Sequence, residues 1–115
     1  MQRRIERALE HVLCNGPLYK RVGNASYCLV HLKESDFPAE LEAEVAVLFS
    51  IFQHVRLLGV YGEDRDYSGI PLRLRREWVK ALLRVYTLLL IAKGAGGALP
   101  IADHAKVDEV CRQFV

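Results

Sequence analysis

Prolines and glycines punctuate this chain into helical lengths, and no other feature constrains its fold as tightly. Asn15-Gly16-Pro17 closes one apolar-periodic stretch, Pro38 and Pro71 open two more that end at Gly59 and Gly94, and Pro100 opens a last one. Proline suits a first helical turn because its missing amide would have no intrahelical acceptor there; glycine ends helices because it enters the left-handed region without steric cost. Between these marks apolar residues recur at helical spacing, as Ile5, Ala8, Leu9, Val12 and Leu13 do in the first stretch. The pattern predicts a mainly α fold: a compact four-helix bundle in a single domain, 1–115, with helices near 2–14, 38–58, 71–93 and 100–114. The second starts at Ser35-Asp36-Phe37-Pro38, where Glu40, Glu42 and Glu44 face the positive helix end. A short polar connection, 59–70, sets the second and third helices antiparallel.

Residues 17–33 admit two readings. Leu18 to Val22 and Ser26 to Leu32, on either side of Gly23-Asn24-Ala25, form a small β-hairpin at 18–32 or two short helices parted at Gly23.

Composition excludes several classes. With 51% hydrophobic and 26% charged residues, burial offsets ordering entropy, which rules out bulk disorder. A net charge of +2 is too small for a histone-like coat on a polyanion. The longest apolar run, 85–92 counting Thr87, falls far short of the roughly 18 residues of a bilayer span, so no membrane partner is expected. The N-terminus has the charged start of a signal peptide, but Glu6, Glu10 and His11 interrupt any apolar segment behind it. Cys14, Cys28 and Cys111 make an odd count without a framework's spacing. The expectation is a cytoplasmic protein in a reducing compartment.

Helix faces carry the partner expectations. In the second helix Leu41, Val45, Leu48, Phe49, Phe52 and Val55 form a broad apolar seam, and Ala39, Ala43, Ala46 and Ser50 a narrow one almost opposite. Small residues in a row let another helix approach closely, either inside the bundle or from a second copy. In the third helix Trp78, Val79, Leu82, Val85, Tyr86 and Leu89 lie on one side, and 88–92 is apolar all round. Leftover apolar surface of that kind favours a homodimer whose interface uses Ala39, Ala43, Ala46, Ser50, Leu88 and Ile91.

Chemistry-bearing residues are sparse. Arg73, Arg76, Lys80 and Arg84 make a basic stripe along the third helix, a candidate polyanion-binding surface with Arg3, Arg4 and Arg7 as its candidate extension, although Glu77 sits inside it. The bland alternative is a solvated helix face. Residues 18–32 are similar to a helix-turn-helix core with Gly23 at the turn, which would imply DNA binding. They depart from it in Tyr19 and in an apolar second helix, whose polar side chains are only Asn24, Ser26 and His31.

His11-x-x-Cys14 and Cys28-x-x-His31 supply two nitrogens and two sulfurs, the donor set of tetrahedral zinc, in an order unlike the common finger. They are the nearest approach to a metal site in a chain read as needing no metal and no cofactor. Asp64-x-Asp66-x-Ser68-Gly69 is similar to the opening of an EF-hand calcium loop, but the eighth position is Pro71 and the twelfth is Arg75, where a bidentate carboxylate is required. Arg4 and His11 satisfy the widest form of the Arg-x₄₋₆-His pattern of HEPN-type ribonucleases, in the first helix and not a late one; four histidines make about one such pairing expected by chance. No phosphate loop, nucleophile elbow or zinc-protease motif is present. The sequence leans away from an enzyme, towards a small interaction or regulatory protein that binds a protein partner. A nucleic-acid-binding regulator using the basic stripe is the alternative.

Overall fold

The first helix, α1 (Gln2–Leu13), buries Ile5, Ala8 and Val12 on one face and leaves Arg3, Arg4, Arg7 and His11 exposed on the other. The computed structural model describes residues 2–94. Gly16 ends the turn after α1 at φ 118°, a conformation that side chains with a Cβ rarely adopt. Pro17 then caps α2 (Leu18–Tyr27), its carbonyl accepting from the Lys20 and Arg21 amides, each at 3.1 Å.

The continuity of α2 corrects the hairpin expected at 18–32 and the parting of helices at Gly23. Gly23 lies inside the helix because the Tyr67 ring packs directly on it; a Cβ there would collide with that ring. The glycine serves close approach, not a turn. Val22, Ala25 and Leu29 follow helical spacing into the core, and the buried Ser26 hydroxyl donates to the Gly23 carbonyl at 2.7 Å. Gly23 is therefore not the turn of a helix-turn-helix.

The helix expected over 38–58 is broken into parts. A 3₁₀ turn, Ala39–Leu41, leads into α3 (Glu42–Ser50), and a second 3₁₀ turn, Ile51–His54, follows. The Ser50 hydroxyl donates to the Val47 carbonyl at 2.7 Å and competes with the regular backbone ladder at the point where the helix tightens. The chain then extends into β1 (Arg56–Leu58), which pairs antiparallel with β2 (Asp64–Asp66) in the register Arg56 to Asp66, Leu57 to Arg65 and Leu58 to Asp64. Gly59 and Gly62 turn the ribbon with φ of 85° and 67°. The protein does have one small hairpin among its described residues, but at 56–66.

Pro71 opens α4 (Leu72–Gly94), as its position predicts. The α4 core face carries Trp78, Leu82, Val85 and Leu88, all fully buried against α1, α2 and α3. Trp78 Nε1 donates to the Leu48 carbonyl at 3.0 Å, so the largest core side chain satisfies its one polar atom while joining α4 to α3. The fold is mainly helical, with four α-helices among the described residues and no helix there long and apolar enough to cross a membrane. The helix expected at 100–114 lies outside the described residues.

Candidate functional site

Three helices leave an apolar groove between them. Leu9, Val12 and Leu13 from α1, Leu18 from α2, and Val79, Leu83 and Tyr86 from α4 line a cavity of about 500 Å³. Leu13 is 70% exposed at its edge. Two guanidinium groups, Arg21 and Arg76, share the lining. Arg21 Nη1 donates to the Val12 carbonyl at 2.9 Å, satisfying one of the open carbonyls at the end of α1, while its buried Nε has no acceptor among the described residues. Arg76 stands exposed. Together these residues make a concave apolar surface with cationic groups at hand, suited to an amphipathic ligand.

The basic stripe of α4 divides on inspection. Arg73 pairs with Glu77 at 3.1 Å on the open helix surface. Arg84 turns towards α3 and pairs with Glu44 at 3.2 Å, with side chains only 29% and 11% exposed. Arg76 and Lys80 remain exposed along the helix. Charge spacing located all four residues, but spacing carries no information about a carboxylate on a neighbouring helix.

The expected interface residues separate in the same way. Ala39, Ala43 and Ala46 are exposed and Ser50 is half-buried. Leu88 is fully buried in the core, which corrects its assignment to an interface. Ile91 belongs to the last turn of α4.

A second hollow forms where the polar face of α1 meets the end of α2. Arg3, Arg4, Arg7, Glu10 and His11 line one wall, and Tyr27, Cys28 and His31 the other. Three of the four zinc candidates meet here; Cys14 is exposed elsewhere, at the far end of α1. Among the described residues no three His, Cys, Asp or Glu side chains are placed to hold one metal ion. Burial pushes the Cys28 thiol up, against the opposing pull of the Arg7 and Arg4 charges, which keeps the sulfur protonated at neutral pH.

The loop similar to an EF-hand is spent on the hairpin. Asp64 and Asp66 are strand residues, and the Asp66 carboxylate accepts from the Ser68 amide at 2.9 Å and hydroxyl at 2.7 Å. Those bonds hold Asp66 below the usual carboxylate range. Arg75 donates to the Ile70 carbonyl at 2.8 Å and stacks 5.3 Å from the Tyr19 ring, so the residue in the twelfth position anchors the entry to α4.

Sequence reasoning did not single out the apolar groove, because its walls come from three separate elements and each wall alone reads as an ordinary core face. The α1 hollow had a legible signal: arginines at 3, 4 and 7 and a histidine at 11 recur on one helix face. Compared with protein-family models, with curated proteins and with solved structures, the chain matches none of them.

Proposed function

We propose that this chain is a small interaction or regulatory protein that binds an amphipathic, acidic segment of a protein partner in the groove between α1, α2 and α4. The observation that carries the reading is an open apolar cavity of about 500 Å³ with Arg21 and Arg76 in its lining. A partner helix would bury apolar side chains against Leu9, Leu13 and Leu83 and place carboxylates beside the guanidinium groups. Self-association belongs to the same reading. The alanine row on α3 leaves Ala43 and Ala46 exposed, and small side chains let a second copy approach closely. Cys14 and Cys28 are free thiols, which supports a reducing, cytoplasmic setting. For nucleic-acid binding by the α4 stripe the support is thinner, since Arg73 and Arg84 already hold carboxylates.

The test is a titration with a synthetic amphipathic peptide carrying leucines at helical spacing and flanking glutamates, followed by calorimetry. Saturable binding that Leu13→Asp or Arg76→Glu weakens about tenfold supports the groove, that factor being the loss of one anchoring contact. Binding indifferent to both changes rejects it. Light scattering tests the dimer: a mass twice the 13.1 kDa chain that Ala43→Glu halves supports the α3 face, and a monomer at all concentrations removes it.

A further inference from the structure

We propose that the hollow between α1 and the end of α2 binds a compact phosphate monoester. Three guanidinium groups converge there, from Arg3, Arg4 and Arg7, with the imidazoles of His11 and His31 across from one another in the same lining. None of the three arginines pairs with a carboxylate among the described residues. On the same helix Glu6, within reach of Arg3 by spacing, accepts from the Gln2 side-chain amide at 3.3 Å. Glu10 is the one carboxylate in the lining. Arginine forks match phosphate oxygens in pairs, and three guanidinium groups beside a single carboxylate leave an excess of positive charge in the hollow.

The surroundings favour a compact anion over a running polyanion. Beyond His11 and Tyr27 the surface continues into a hollow where Glu63 and Asp64 of the hairpin outnumber Arg65, whose guanidinium lies over the Tyr27 ring. A nucleic-acid backbone leaving the arginines in that direction would meet like charge, whereas a single phosphate ends before it. Tyr27, 53% exposed, borders both hollows, with Arg65 stacked 4.9 Å from its ring. A ring-bearing ester has an aromatic surface to lie against, and a simple sugar or glycerol ester needs only the cationic wall. The shared chemistry is the phosphate dianion. This site is separate from the apolar groove, and its test is independent of that reading.

Calorimetric titration of the whole chain with adenosine 5′-monophosphate, glycerol phosphate and a single-stranded oligoribonucleotide, at low and high salt, tests the proposal. Saturable binding of a monoester is expected, weakened at least about tenfold in Arg4→Gln/Arg7→Gln and unchanged in Arg73→Gln, since each charge-assisted contact contributes on that scale. Stronger binding of the nucleotide, lost in Tyr27→Ala, assigns the ligand to ring-bearing esters; equal binding assigns it to phosphorylated metabolites in general. Circular dichroism of the exposed-arginine variants checks that the helices persist. The proposal is overturned if no monoester saturates by about 10 mM, or if the double variant binds as the parent does. It is also overturned if the oligonucleotide alone binds, with a salt slope reporting several phosphates.

Discussion

Two arginine-rich helix faces in this molecule have similar composition and opposite fates. On α4, Arg73 and Arg84 are held by Glu77 and Glu44, and the second of these pairs joins two helices. On α1, Arg3, Arg4 and Arg7 line a hollow that also holds Glu10, and none of the three forms an ion pair among the described residues. Local supply of acid makes the difference: Glu44 projects from α3 towards α4, whereas Glu6 is engaged by Gln2. A run of positive charge is thus structural or available according to which acids the fold brings alongside it.

The largest test of this contrast is to remove one arginine from each face. Arg84→Ala strands Glu44 at 11% exposure, and losing one partner of a mostly buried pair should cost about 2 kcal/mol, below the full buried value because Arg84 is part-exposed. Arg4→Ala/Arg7→Ala should change stability by less than about 0.5 kcal/mol, as exposed surface positions do. Urea unfolding followed by emission of Trp78, the one tryptophan and fully buried, measures both. Equal losses would erase the distinction. A cycle with Glu44→Gln isolates the pair: the double change should cost less than the two single changes added together.

Next in size is a change inside α2, the helix that carries Tyr27, which leaves the α4 pair untouched. Gly23→Ala drives a Cβ into the base of the Tyr67 ring, which has no flexible end to move aside. Overpacking costs about 1–3 kcal/mol and the better helix propensity of alanine returns about 1, so a net loss of about 1 kcal/mol is expected. Tyr67→Ala in the same chain should reverse its sign, because the helix gain then stands alone. Thermal denaturation of the two variants decides it.

That glycine also shows what was legible from sequence and what was not. The mainly α class, α1 and α4 followed from proline, glycine and apolar spacing, since these act within a single element. Residues 18–32 misled because Gly23 reads locally as a breaker, and only the ring of a residue far along the chain explains it. The 38–58 stretch misled for a related reason. Leu48, Ile51 and Phe52 keep an inward pattern through the 3₁₀ turn, so apolar spacing does not register that the helix has tightened. Arg56 to Leu58 then pair with a strand whose Asp64 and Asp66 have no strand preference. The α4 stripe was legible as four positions, and its chemistry was not, because Glu44 belongs to another helix.

A smaller effect should come from the exposed pair on α4. Arg73 and Glu77 lie one helical turn apart with side chains 90% and 50% exposed. Arg73→Ala should cost only about 0.3–0.5 kcal/mol and less in high salt, because solvent screens such a pair and ordering two long side chains offsets part of it. Unfolding at two ionic strengths separates it from Arg84→Ala, whose loss should persist in salt. If the two arginines proved equally salt-sensitive, the ion pair to α3 would be no better shielded than a surface one.

The smallest expected effect concerns the acidic hairpin beside the α1 hollow. Asp66 is held below its ordinary range chiefly by the Ser68 hydroxyl and then the Ser68 amide, and Glu63 by backbone donors, among them the Tyr61 amide at 2.8 Å. A carboxylate whose folded pKa is depressed stabilises the fold fully above its unfolded pKa and loses that contribution as pH falls through the folded value. The hairpin should therefore be firm at neutral pH and loosen through and below the ordinary carboxylate range. Amide exchange of β1 and β2, measured from neutral to acid pH, should show the loosening, and Asp66→Asn should flatten its acid limb. Unchanged exchange across that range would mean that the bonds to Asp66 and Glu63 shape the turn without stabilising it.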